Sequence, residues 1–446
     1  MGSDRGRVSS GCDGETEVMM RRSADRRLGR LVVAGLAALM AMHSSLSLGQ
    51  AILTTTSAGK FGIVLPTPGT GLPTPAMNTV TGMPADANPG GSSTYGSDNA
   101  LVADYLNSRI FVVKVSTAAV VDTIVTTGTY NGIGTIAVAP AGNYALAMGN
   151  ASSMVVIAAP FTASSTVTTL ALPGSGGTDG FQTEAIVFDS AGRAFVYHRY
   201  GIAVIDPPCT GVAFTIPVAS PLQTAALAIT PDGNTLLATA YGHGYINIYS
   251  APFSSSSTPV ALVVSRAQAL EGMAITPDGA KALVGDIWGK KLYAVSAPFT
   301  ASSAYEQIPL ASAQATGAVA ISPDGQLAIL AASDNCSTGP VPMIKAPFTA
   351  AGATAYDVTV PGGRGYGTVR FLAAGTAQYA VTYDGNGNTG GTAPTDPGTY
   401  ANGATVTVLG SGNLVRTGLA FAGRNTAANG RCRPGCAIDL DDDLNQ

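Results

Sequence analysis

Two carboxylates, Glu184 and Glu271, stand at equivalent points of an internal repeat, each eight residues ahead of the glycine that marks its turn. Acids converging on one opening can hold a cation or work as an acid and base pair, although the pair also reads, and more simply, as two solvated acids at a water-filled opening. Near them in the chain stand His198, His243, Trp288 and Asp286, in a sequence with one Trp and three His. The imidazoles and the indole are groups suited to ligand contact, whereas an Asp at a strand end, such as Asp104, Asp286, Asp334 or Asp384, more often closes its own turn. No Ser, His and acid stand at a spacing that argues for a triad, so no catalytic residue is assigned. A third acidic set, Asp439, Asp441 and Asp443, alternates as in the first half of a calcium loop, which makes Ca²⁺ the one cofactor the sequence raises. Leu444 replaces the turn glycine of such a loop, and a solvated acidic tail accounts for the three acids as well.

The elements that position these residues follow from the repeat. Its clearest copies are Leu227-Ala228-Ile229-Thr230-Pro231-Asp232-Gly233, Met273-Ala274-Ile275-Thr276-Pro277-Asp278-Gly279 and Val319-Ala320-Ile321-Ser322-Pro323-Asp324-Gly325. Degenerate copies end at Gly142, Gly192, Gly375 and Asn425, which makes seven copies spaced 41 to 50 residues apart. That period belongs to propeller blades or helical solenoids. Large apolar residues stand six and four positions before each anchor, with small ones between, apart from Arg370. A period of two with one bulky and one slim face is a strand buried between stacked sheets. Pro-Asp-Gly turns that strand back into a second one, and third and fourth strands complete a blade. A second phrase, Ala-Pro-Phe, recurs at residues 159–161, 251–253, 297–299 and 346–348 and reads as architecture, its Phe plugging the gap between blades.

The predicted fold is therefore all-β, a seven-bladed β-propeller of four-stranded antiparallel blades. Residues 101–105, 110–115 and 122–127 lack an inner strand, and residues 414–421 form an inner strand with nothing after it. Pairing the two closes the ring and removes its exposed edges. With its Ala-Ile-Thr-Pro-Asp-Gly turns and strands such as Ile202-Ala203-Val204-Ile205-Asp206, the chain resembles the YVTN-type β-propeller repeat family, itself similar at a distance to lactonase-type seven-bladed propellers. The resemblance implies a fold and commonly export, not one activity. The acidic tail resembles the start of a dockerin-like repeat.

Composition narrows the partners. Only 11% of residues are charged, the formal net charge is −4, and the ring has no basic cluster in sequence, so no nucleic-acid footprint is expected. Basic residues 21–30, an apolar run at 31–42 and a small polar segment at 43–50 read as a signal peptide, residues 1–49, with no transmembrane segment once it is removed. Residues 50–99 read as a Pro/Gly/Ser/Thr-rich linker or strap, 100–425 as the propeller, and 426–446 as an acidic tail. Cys209 and Cys336 fall at opposite faces, and Cys432 and Cys436 either bridge or stay reduced in a short loop. The expectation is a secreted or periplasmic monomer that binds a surface protein or a polysaccharide through the channel mouth and the turns after strand two. The alternative is a lactonase-like hydrolase with a carboxylate or metal site at that mouth.

Overall fold

The computed structural model describes residues 51–55, 62–65, 76–104, 106–126, 133–149, 153–173, 186–198, 201–218, 224–240, 242–312, 316–331, 340–358, 366–372, 378–380, 383, 388–395, 399–401 and 409–418. Among them there is no helix, and the architecture is a β-propeller of four-stranded antiparallel blades. Six blades use consecutive strands. Blade 1 is Pro89–Tyr95, Asn99–Asp104, Arg109–Lys114 and Ala119–Val125. Blade 2 is Ile133–Val138, Tyr144–Gly149, Ser153–Ala158 and Val167–Ala171. Blade 3 is Ile186–Phe188, Ala194–His198, Gly201–Ile205 and Phe214–Ile216. Blade 4 is Thr224–Ile229, Thr235–Ala240, Tyr245–Ser250 and Val260–Val263. Blade 5 is Leu270–Ile275, Lys281–Asp286, Lys291–Ser296 and Tyr305–Ile308. Blade 6 is Ala318–Ile321, Leu327–Ala331, Val341–Lys345 and Thr354–Val358.

The expected closure is not formed. Asn99–Asp104 is flanked by Pro89–Tyr95 and Arg109–Lys114, so no edge remains for residues 414–421, and of these Val415 makes only a bridge to Gly390. Blade 1 takes its inner strand from the segment read as a linker. Residues 50–99 also supply Ala51–Thr55, Gly62–Leu65 and Ala76–Thr79, which pair in that order onto Tyr366–Phe371 as a composite sheet. Tyr366–Phe371 lies beside the inner strands of both blade 6 and blade 1. One staple repeats at these junctions. In blade 4 the Thr239 hydroxyl accepts the Ala226 N–H at 2.9 Å and donates to the Glu271 carbonyl of blade 5 at 2.7 Å. In the composite sheet the Thr54 hydroxyl accepts the Thr368 N–H and donates to the Gly90 carbonyl of blade 1, both at 2.8 Å.

The repeat grammar dictates the packing. Ile136, Ile186, Leu227, Met273, Val319 and Val369 are all buried, and the slim face lets neighbouring inner strands approach backbone to backbone. A β-carbon at Gly91 would lie 2.7 Å from the Gly134 carbonyl oxygen and from Thr135 Cα. We therefore expect Gly91→Ala to cost about 1–3 kcal/mol by overpacking, read as a lower urea midpoint with the fold retained; an unchanged midpoint would show that the strands separate freely there. The anchors Gly142, Gly192, Gly233, Gly279 and Gly325 all have positive φ. In the three clearest copies the Thr or Ser hydroxyl donates to the turn Asp, whose carboxylate also accepts the N–H of the residue after the glycine. The Ala-Pro-Phe phrase is structural: Phe161 packs edge-on to Tyr95 and Phe253 to Phe195, each in the preceding blade.

Candidate functional site at the junction of blades 4 and 5

In an up-and-down blade the turn after strand two and the start of the inner strand fall at the same end, opposite the Pro-Asp-Gly turns. Three segments meet at that end between blades 4 and 5, and backbone hydrogen bonds knit them together. Leu270 N–H donates to the His243 carbonyl at 2.9 Å, Val264 N–H to the Gly244 carbonyl at 2.8 Å, and Ile287 N–H to the Ala269 carbonyl at 2.9 Å. Asp286 is the brace. Its carboxylate, 0% exposed, accepts the N–H groups of Gln268 and Ala269 at 3.0 Å each and that of Gly289 at 2.9 Å. Asp104 plays the same part in blade 1, where it accepts from Asn88 N–H, Asn107 and Arg109. Asp286 thus holds loops in place, as a strand-end Asp is expected to, and a ligand at the surface meets what it supports.

Trp288 caps this platform. It is 53% exposed, and its ring lies over the backbone of blade 4: a β-carbon at Gly242 would come within 3.5 Å of its Cη2. Gly242 has φ +74, so the turn that passes beneath the indole needs a glycine on conformational grounds as well. Beside it the His243 and Tyr245 rings stack obliquely with centroids 5.3 Å apart, both half-buried. Glu271 is buried at the first residues of the blade 5 inner strand, where the register to Lys281–Asp286 shifts in a bulge. The structure therefore brings His243 of blade 4 and Glu271, Asp286 and Trp288 of blade 5 to one junction, because the turn after strand two and the start of the next inner strand share one end of the blades.

His198 is one blade away. It ends strand two of blade 3 and is 1% exposed, so its imidazole belongs to the interior. Burial pushes its pKa below the ordinary histidine value. The unfolded chain consequently takes up the proton first, so this contribution to stability is complete above about pH 6.5 and is lost as pH falls from there toward the depressed folded value. We expect urea stability to drop between about pH 7 and pH 5, and His198→Gln to flatten that slope; an equal slope in the variant would assign it to other groups. Glu184, Asp439, Asp441 and Asp443 lie outside the described residues, as does the 1–49 segment. Among the described residues no group of three or more His, Cys, Asp or Glu side chains is placed to hold a metal ion. Cys209 is a buried free thiol.

Sequence reasoning missed the charge at this site. Arg266 and Lys290 are exposed and Lys291 half-buried, all on the knitted segments, and among the described residues none is ion-paired. The Lys290-Lys291 doublet beside the sole Trp was a signal in the sequence; Arg266, more than 20 residues away, was not.

No family model and no curated protein matches the chain. Solved structures do. A putative 6-phosphogluconolactonase from Bacteroides fragilis superposes with a TM-score of 0.56 at 12% identity, covering 74% of this chain and 99% of its own. The periplasmic gluconolactonase of Pseudomonas aeruginosa gives 0.54 at 12% identity, covering 73% and 99%. A protein from Lactobacillus plantarum gives 0.56 at 15% identity, covering 73% and 99%. At such identities the likeness shows the fold alone: the chain is a β-propeller similar to lactonase-like propellers.

Proposed function

We propose that this chain is an exported, monomeric propeller that binds a polysaccharide through the platform between blades 4 and 5 and does not transform it. One observation carries the reading: the only Trp of the chain is more than half exposed on loops held rigid by a buried carboxylate, with His243 and Tyr245 beside it. A large aromatic face costs free energy to leave in water, and a sugar ring offers it apolar C–H surface while its hydroxyls stay hydrated. The secreted protein run through gels containing soluble polysaccharides should be retarded by at least one of them. Trp288→Ala should run unretarded while keeping a cooperative urea transition, because a side chain that is 53% exposed lies outside the blade cores. Equal mobility of both proteins in every gel would remove the proposal.

The same reading takes the composite sheet as the seventh blade and the repeat as YVTN-type. What supports the seventh blade is that Thr54 joins it to blade 1 by the hydroxyl staple that Thr239 makes between blades 4 and 5. A lactonase-like hydrolase is the second reading. It draws on the fold neighbours, and the carboxylate pair it would use depends on Glu184, which lies outside the described residues.

A further inference from the structure

We infer that the polysaccharide taken by this platform is acidic, a uronate-bearing chain whose carboxylates meet Arg266 and Lys290 while a sugar ring stacks on Trp288. The inference rests on the binding role proposed above and adds the charge of the ligand. Three observations carry it. First, both acids at the junction are turned to the interior, Asp286 at 0% and Glu271 at 8% exposure, so neither presents a carboxylate to an incoming anion. Second, Arg266, Lys290 and Lys291 stand on the loops that surround Trp288, and no acid among the described residues neutralises them. Four described cations elsewhere are paired, Arg109 with Asp86 and Asp104, Lys114 with Asp98, Arg193 with Asp206, and Lys281 with Glu306, whereas the exposed Lys345 stands singly and away from any such cluster. Third, the net charge of the whole chain is −4, so a positive surface is a local departure and not the general colour of the molecule.

The two cations stand on different segments of the platform. Lys290 follows Trp288 by two residues in the same turn, where its φ of +52 makes the chain reverse, and Arg266, with φ +70, lies on the connection that Asp286 holds through Gln268 and Ala269. Arginine can grip a carboxylate with two parallel N–H groups, and lysine adds a point charge. A neutral glycan would leave both unused. An anion that is drawn to a local positive patch binds with an affinity that falls as salt rises, because mobile ions compete for the same charge.

The probe is polygalacturonate, and its control is the same polymer after carboxyl reduction, which keeps the backbone and linkage but removes the charge. Using the full secreted protein, retardation by polygalacturonate should exceed that by the reduced polymer at least tenfold in dissociation constant. Raising salt from about 50 to 500 mM should narrow the gap, since screening acts on the charged contact alone. Arg266→Ala with Lys290→Ala should bring the acidic polymer down to the level of the reduced one, while Trp288→Ala should weaken both. Equal binding of the two polymers, with Trp288→Ala still losing both, would overturn the inference and leave the polysaccharide-binding role standing. Retardation by single-stranded nucleic acid and by neither polymer would overturn both. Retention of the acidic preference in the double variant, with its thermal midpoint unchanged, would place the charge recognition elsewhere and reject the site.

Discussion

A chain lacking residues 1–79 is expected not to fold to a stable monomer, whereas one lacking only residues 1–49 keeps the full unfolding transition. The longer deletion removes three of the four strands of the composite sheet and strips the partner from Tyr366–Phe371, which would then present a bare edge. Ile52 and Leu53 alone are both 0% exposed, and burying two such side chains is worth about 3–6 kcal/mol, a large share of a typical net stability of about 5–15 kcal/mol. Loss of the Thr54 staple adds to this, since the Thr368 N–H and the Gly90 carbonyl lose their partner hydroxyl. Size exclusion and urea unfolding decide it: aggregation or loss of a cooperative transition is the expected result. A monomer with an unchanged midpoint would mean that the propeller does not need these strands.

Asp286→Ala is the point substitution with the largest expected effect. It leaves three N–H groups on two segments, those of Gln268 and Ala269 and that of Gly289, without their buried acceptor, at a cost of about 3–5 kcal/mol in total, and it also releases the segments that carry Arg266 and Trp288. Asp286→Asn keeps one acceptor oxygen but turns an amide donor toward other donors, so it should recover only part of the loss. A cost below about 1 kcal/mol for the alanine variant would show that water replaces the carboxylate and that the brace is dispensable.

What could be read from the sequence follows from what each element needs. A Pro-Asp-Gly turn after a strand with one bulky and one slim face suits a stacked blade and little else, so the inner strands from Ile133–Val138 to Tyr366–Phe371 were legible. The inner strand of blade 1 was not, because Pro89–Tyr95 reads Pro-Gly-Gly-Ser-Ser-Thr-Tyr and the small residues that let Gly91 touch the next backbone are those of a linker. With that strand unseen, blade 1 is left one strand short, and residues 414–421 are drawn to it wrongly. The site was half legible. His243, Trp288, Asp286 and Glu271 converge because the repeat puts the turn after strand two of each blade at the same end as the start of the inner strands. Arg266 sits on an irregular connection whose path is set by hydrogen bonds to Asp286, a contact that no periodicity encodes.

Amide hydrogen exchange of the protein, with and without a polysaccharide that retards it, tests most directly whether the platform between blades 4 and 5 is the binding surface. Protection should be confined to peptides covering residues 242–245, 264–270 and 286–291, whose backbones are already joined to one another. Protection centred on the opposite end, at the turns around Gly233, Gly279 and Gly325, or on the composite sheet, would contradict it.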